Sequence, residues 1–108
     1  MAIVAINNRG RIVIFNSMAE EIFGYNNGEL LGSSIDLLLP EQFRALHRRY
    51  REEYVANLQV RPMGLGLDLV GQRNDGSEFP IEVGLSYFET SDGLLVLAFV
   101  ADTSERHH

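Results

Sequence analysis

His47 lies in the stretch EQFRALHRRYREEY, residues 41–54, and is the one histidine of the chain before its last two residues. It shares a spacing of i, i+3, i+4, i+7 and i+11 with four neighbours, which describes one face of an α-helix. These neighbours are aliphatic or aromatic: Phe43, Leu46, Tyr50 and Tyr54. The pattern therefore predicts that the imidazole points inward, where it is either packed and hydrogen-bonded or holds a ligand.

No combination of residues in the sequence is typical of catalysis. The chain has no cysteine, which excludes disulfides, thiolate metal sites, cysteine nucleophiles and thiol-linked chromophores. A single internal histidine gives no basis for a histidine cluster or a Ser-His-Asp triad. The alternating glycines of GLGLDLVG, residues 64–71, fit a strand better than a phosphate loop, because no helix follows them. We therefore expect that the domain is not an enzyme.

The charge pattern argues against nucleic acid as a partner. The net charge is −6, and all nine basic residues are arginine, so the molecule as a whole repels phosphate. Four arginines crowd into residues 44–51, which we interpret as a solvated helix face.

The apolar runs are too short to span a membrane, and the N-terminus lacks a signal-peptide pattern. We expect a cytoplasmic domain without membrane contact.

The elements that position His47 can be predicted from turns and periodicity. A chain of 108 residues predicts one domain. The Asn-Asn-Arg-Gly sequence at 7–10 favours a hairpin between strands near 3–7 and 11–15, and alternation of apolar residues predicts strands near 63–73, 78–88 and 94–102. Three short helical segments precede a longer helix near 40–56. The result is an α+β fold, a five-stranded antiparallel sheet with helices packed on one face.

Several motifs together resemble a known family. Asn16 and Ala19-Glu20 precede Phe23-Gly24-Tyr25, and Arg73 with Asp75-Gly76 precedes Phe79-Pro80. This combination, followed by DTSER at 102–106, resembles a PAS domain over nearly the whole chain. We therefore expect a single PAS sensor domain at residues 1–106. One interpretation of residues 107–108, both histidine, is a tag remnant.

The resemblance implies a sensory and signal-relay role. PAS domains are modules of larger bacterial signalling proteins, usually histidine kinases or diguanylate cyclases, with the effector in the same chain. They hold a small ligand, or nothing, between the helices and the sheet. The pocket residues expected here are Phe43, His47, Tyr50, Leu65, Leu67 and Leu97. The signal is expected to leave through Asp102, Thr103 and Arg106, where Thr103 replaces the aliphatic residue that is usual in the family.

The resemblance also bears on the cofactor. Flavin and chromophore domains that need a cysteine are excluded, because the chain has none. The helix around His47 is similar to that of FixL-type heme-binding PAS domains, and His47 matches their proximal iron ligand. Leu67 stands where those proteins have the arginine that contacts oxygen. Three alternatives remain open. His47 binds heme, or it is a structural histidine beside a cavity that is empty or holds an unknown ligand. In the third alternative His47 contacts a non-heme ligand directly.

A homodimer is expected from the family resemblance and from the last strand. Residues 94–101 are apolar on both faces of the predicted strand. One face fills the core, so the other would be an exposed apolar patch that needs a partner. A ligand-free dimerisation module is therefore an alternative to a ligand sensor.

Overall fold

The computed structural model describes residues 1–60 and 68–104. Strands β1 and β2 form a hairpin and are followed by the short helix α1, two turns of 3-10 helix and the long helix α2. Strands β3, β4 and β5 complete the chain. Their bounds are β1 Ala2–Ile6, β2 Ile12–Phe15, α1 Ser17–Phe23, 3-10 turns Ile35–Leu38 and Glu41–Phe43, α2 Arg44–Ala56, β3 Asp68–Gln72, β4 Glu78–Thr90 and β5 Gly93–Asp102.

The five strands form one antiparallel sheet in the order β2-β1-β5-β4-β3. The first and last strands of the sequence thus lie side by side at its centre, where Val4 faces Ala98 and Ile6 faces Val96. The predicted fold class is confirmed. The predicted strand bounds agree with those observed to within a few residues, except that residues 63–67 of the predicted third strand lie outside the described part of the chain.

Helix α1 is fixed to the sheet by the side chain that caps it. The Oδ1 atom of Asn16 accepts a hydrogen bond from the amide of Ala19 at 3.0 Å and another from the amide of Ile3 in β1 at 2.9 Å. The helix ends at Gly24, which adopts φ +79°, a conformation that side chains disfavour. One side chain therefore sets both the start of α1 and its position against β1.

The core lies between the helices and one face of the sheet, which we call the inner face. Phe23 of α1 is 2% exposed and packs edge-on against Phe79 of β4, with ring centroids 5.4 Å apart. Gly71 of β3 lies between these rings, since a Cβ there would be only 3.1 Å from each. The apolar residues of the strands alternate between this inner face and the opposite, outer face.

The connection between α1 and α2 differs in part from the prediction. Residues 27–32 form consecutive turns and not a turn of helix, with Gly28 at φ +76° and Gly32 at φ +86°. Ser34 caps the first 3-10 turn, since its hydroxyl accepts a hydrogen bond from the amide of Asp36. Pro40 precedes a 3-10 turn, and the α-helix starts only at Arg44.

Candidate functional site

A cavity of about 610 Å³ lies between α2 and the inner face of the sheet. Strand residues of one parity supply its apolar walls, because alternate side chains of a strand point to the same face. These residues are Val4, Ile6, Leu69, Ile81, Val83, Leu85, Val96, Ala98 and Val100. Helix α2 covers the opposite side through His47, Tyr50, Arg51 and Tyr54. The volume and the apolar lining are those of a small-molecule site.

Two of the predicted pocket residues line this cavity, and two do not. His47 and Tyr50 do so. Leu97 lies on the outer face, because it pairs with Ala5 and Ser86 while its neighbours Val96 and Ala98 point inward. The assignment of Leu97 to the pocket was therefore wrong.

The sequence also predicted that Phe43 lines the pocket, and this assignment was wrong as well. It belongs to the 3-10 turn Glu41–Phe43, is 38% exposed, and is not among the lining residues. The helical spacing that linked it to His47 does not apply, since α2 begins one residue later. Leu65 and Leu67 lie outside the described residues, so their place in the pocket stays a prediction.

His47 is half-buried on the cavity side of α2. Burial, and after it the cation of Arg51, lower the pKa of His47 from 6.5 to about 4, although Asp36 acts in the opposite direction. The imidazole is thus neutral near pH 7. Its Nδ1 atom is buried and has no hydrogen-bond partner among the described residues. A buried nitrogen of this kind costs free energy unless a ligand or water satisfies it.

Arg51 was not predicted as a site residue. It lies four residues after His47, which places both on one helix face, and its side chain is 24% exposed. The guanidinium Nη2 is 3.8 Å from Asp36 Oδ1, too far for a hydrogen bond, and Nε is buried without a partner in the described structure. The i+4 spacing was the available signal, but arginine was assumed to face solvent.

The other arginines of α2 divide between structural and exposed roles. Arg44 donates from Nε to the carbonyls of Asp36 at 3.0 Å and Leu39 at 3.1 Å, which fastens the start of α2 to the preceding turn. Arg48 pairs with Asp36 at 3.4 Å and is 57% exposed, while Arg49 is exposed. The interpretation of the arginine run as a solvated face therefore holds for only part of it.

The end of β5 is tied to the adjacent strands. Arg73 pairs with Asp102 at 3.3 Å, and Asp102 Oδ1 accepts from the amide of Ser104 at 2.8 Å. Burial acts to raise the pKa of Asp102, but these bonds and the cation outweigh it and the pKa is lowered. The amide of Thr103, which is 4% exposed, donates to the carbonyl of Pro80. Arg106, the third predicted exit residue, lies outside the described residues.

The residues around His47 meet one requirement of the heme that the family resemblance implies. An axial imidazole must be neutral, as His47 is. An iron-bound histidine usually also donates its second ring N–H to an acceptor, and Nδ1 has none within residues 1–60 and 68–104. The donor type fits iron, and the supporting hydrogen bond is lacking in this part of the chain.

Two general features complete the description of the site. Within the described residues, no three histidine, aspartate or glutamate side chains converge to hold a metal ion. In the same part of the chain, no helix has both the length and the apolar composition needed to cross a membrane.

Two proteins of similar sequence are named as sensors. The chain is 29% identical over 104 residues to the sensor protein FixL of Bradyrhizobium diazoefficiens and 31% identical over 104 residues to the oxygen sensor protein DosP of Escherichia coli. Each match covers 96% of this chain but only 21% of FixL and 13% of DosP. The chain therefore spans a small fraction of the relatives that it matches.

Several solved structures with the same fold are named as PAS domains. One, from a protein of Colwellia psychrerythraea, superposes with a TM-score of 0.83 at 20% identity and covers 97% of this chain and 87% of that one. Another, from a two-component sensor histidine kinase, has a TM-score of 0.75 at 17% identity and covers 94% and 83%. The family model described as PAS domain matches residues 1–105. Since that match spans nearly the entire sequence and the fold agrees, the chain belongs to the PAS domain family.

Proposed function

We propose that this chain is a ligand-responsive sensory domain, residues 1–106, of a larger cytoplasmic signalling protein. The observation that carries the proposal is the cavity of about 610 Å³ beneath α2, with apolar walls and, at its edge, the Nδ1 of His47, which has no hydrogen-bond partner in the described part of the chain. A cavity of this kind leaves both apolar surface and a polar atom to be satisfied by a ligand. The sensory role itself is common to the family, and no catalytic step is assigned to this domain.

The route of the signal is proposed from the strands that line the cavity. Val96, Ala98 and Val100 of β5 contribute to its wall, and the same strand ends at Asp102. The ion pair of Asp102 with Arg73 and the bond from Thr103 to Pro80 couple that end to the neighbouring strands. We propose that a ligand shifts β5 and that the shift passes through Asp102, Thr103 and Arg106 to an effector. The effector would be a histidine kinase or a diguanylate cyclase in the same full-length chain.

A homodimer through the outer face is part of the proposal. Phe88 is 60% exposed and Ile14 is 43% exposed on this face. The pairing register places them in one apolar surface with four further residues, Ile3, Leu95, Leu97 and Phe99. An exposed apolar surface of this kind is typical of an interaction site.

Native mass spectrometry of the purified protein tests the occupied cavity. We expect a retained small molecule, or a saturable mass shift with added ligand, that is lost when Ala98→Phe fills the cavity. A matched control is Ala101→Phe, which makes the same change at a residue of β5 that faces outward. Retention of the same molecule by Ala98→Phe, or an empty wild-type protein that a ligand library fails to stabilise, favours the ligand-free dimerisation module instead.

A heme-based gas sensor is the second candidate. It is supported by the similarity to FixL and to DosP, which is named an oxygen sensor, together with the neutral imidazole of His47 beside the cavity. His47 would hold the iron, and the heme would supply a gas-binding position. Titration with hemin tests it: a sharp Soret band in the wild type that His47→Ala abolishes and the exposed control Leu46→Ala retains supports ligation. A wild type without the band removes this candidate.

A further inference from the structure

The cavity has a polar end that is distinct from its apolar walls. Helix α2 supplies the side chains of this end from successive turns, and the hairpin turn between β1 and β2 closes it. Its members are Arg9, Gly10, His47, Arg48, Arg51 and Glu52, all of which line the cavity. The chemistry available at this end determines which ligand the cavity can accept.

Arg51 is the best placed of these groups to receive a ligand. Its side chain is three-quarters buried, since 24% is exposed. The 3.8 Å separation from Asp36 Oδ1 is longer than a hydrogen bond, and that oxygen and the Nε of Arg51 are both buried without a hydrogen-bond partner in the described structure. A guanidinium has five N–H donors and needs acceptors when it is removed from water.

The guanidinium of Arg51 packs against the backbone of the hairpin turn. Gly10 has φ +72°, and a Cβ at this position would overlap Nη1 of Arg51. The cation therefore packs directly on the turn, where only glycine leaves room for it. This contact covers part of the guanidinium at the edge of the cavity.

The net charge at this end is opposite to that of the whole chain. The charged lining residues among those described are three arginines and one glutamate, while the chain carries −6. Asp36, which lies next to them, is shared between Arg48 and Arg51 and offsets one of the cations. A confined cationic site beside apolar walls attracts an anion more strongly than the exposed surface does.

We infer that the cavity binds an amphipathic carboxylate, whose head group accepts hydrogen bonds from Arg51 and from the imidazole of His47 and whose apolar body lies along the inner face of the sheet. A planar carboxylate matches the fork of a guanidinium. The apolar body is required by the wall of aliphatic residues that includes Val83, Leu85 and Val96. This inference rests on the proposed function and names the ligand class for the same site.

Calorimetric titration with decanoate and with decanol, below the concentrations at which they aggregate, tests the inference. The two probes share one chain and differ in the head group. We expect decanoate to bind about ten- to a hundredfold more tightly than decanol, the difference given by a charge-assisted hydrogen bond. Arg51→Gln should remove this difference, because it should weaken the binding of decanoate far more than that of decanol. Arg49→Gln, an equal loss of charge at an exposed residue of the same helix, should retain it.

The outcomes separate this inference from the proposed function. Equal binding of both probes by the wild type, or a preference for decanoate that Arg51→Gln leaves intact in a folded protein, overturns the carboxylate inference while the cavity remains a ligand site. Failure of both probes to bind overturns the inference as well. Native mass spectrometry then decides the proposed function independently, because it reports any retained molecule. The comparison of the two probes on the wild type needs no variant and stands even if Arg51→Gln does not fold.

Discussion

Arg51 lies one helical turn after His47, and both side chains line the same cavity. Their proximity has an electrostatic consequence, since the cation of Arg51 adds to the effect of burial in lowering the pKa of His47 to about 4. The pair therefore consists of a fixed cation and a neutral imidazole. This combination offers hydrogen bonds to an anion without the cost of a second buried charge.

The first prediction concerns pH and stability. The folded-state pKa of His47 is about 4, below its ordinary value of 6.5, so the unfolded chain binds more protons between these values. Stability therefore rises with pH across this window and is lost as pH falls through it, by up to about 3 kcal/mol. Urea unfolding from pH 7 to pH 4 should show this loss, and His47→Gln should reduce it. An identical pH dependence of the variant and the wild type would contradict the account.

The second prediction concerns the capping residue of α1. Asn16→Ala removes an acceptor that serves the amides of Ala19 and Ile3. We expect the free energy of unfolding to fall by about 1–2 kcal/mol, as is usual for the loss of a helix cap. Chemical denaturation followed by circular dichroism measures it, with the exposed Asn27→Ala as the control. Equal stability of the two variants would show that the cap is not needed to hold α1 on the sheet.

The third prediction concerns the ion pair at the end of β5. Arg73 and Asp102 are each about one-third exposed, at 32% and 29%, so the pair itself should be weak. Asp102→Asn should lower the free energy of unfolding by about 0.5–1 kcal/mol, as expected for a partly exposed pair. A double-mutant cycle with Arg73→Gln isolates the interaction between the two side chains. A coupling energy of zero would remove Arg73 from the proposed signal route.

The fourth prediction concerns the dimer. Phe88→Glu places a charge within the proposed apolar contact on the outer face, where Phe88 is 60% exposed. Sedimentation should show a dimer for the wild type and a monomer for this variant, with circular dichroism unchanged. Leu31→Glu is the matched control, because Leu31 is 53% exposed but lies in a turn outside the strands. A wild type that stays monomeric at high concentration would contradict the interface.

The sequence predicts the fold well because its signals are local. The Asn-Gly-rich turn at 7–10 and the Thr-Ser-Asp-Gly turn at 90–93 join antiparallel strands, and the 3.6-residue period places His47 inward. These features depend on neighbours in the chain and need no tertiary information.

From the sequence, Leu97 was assigned to the pocket wrongly and Arg51 was overlooked, and these two errors have different causes. Leu97 was assigned to the pocket because β5 is apolar on both faces, so alternation alone does not reveal which face is inner. Arg51 was overlooked because charged residues are usually solvated. Its burial involves a contact with Gly10, which is distant in the sequence. Neither the parity of β5 nor this contact can be deduced from local periodicity.

The central claim is that a ligand enters the cavity between α2 and the inner face of the sheet. Two-dimensional NMR of the labelled protein during titration with decanoate tests it most directly. We expect saturable shifts at the amides of His47 and Arg51 in α2 and of inward-facing strand residues such as Val96 and Ala98. Shifts confined to the outer face, around Leu95, Leu97 and Phe99, or shifts that do not saturate, would contradict the claim.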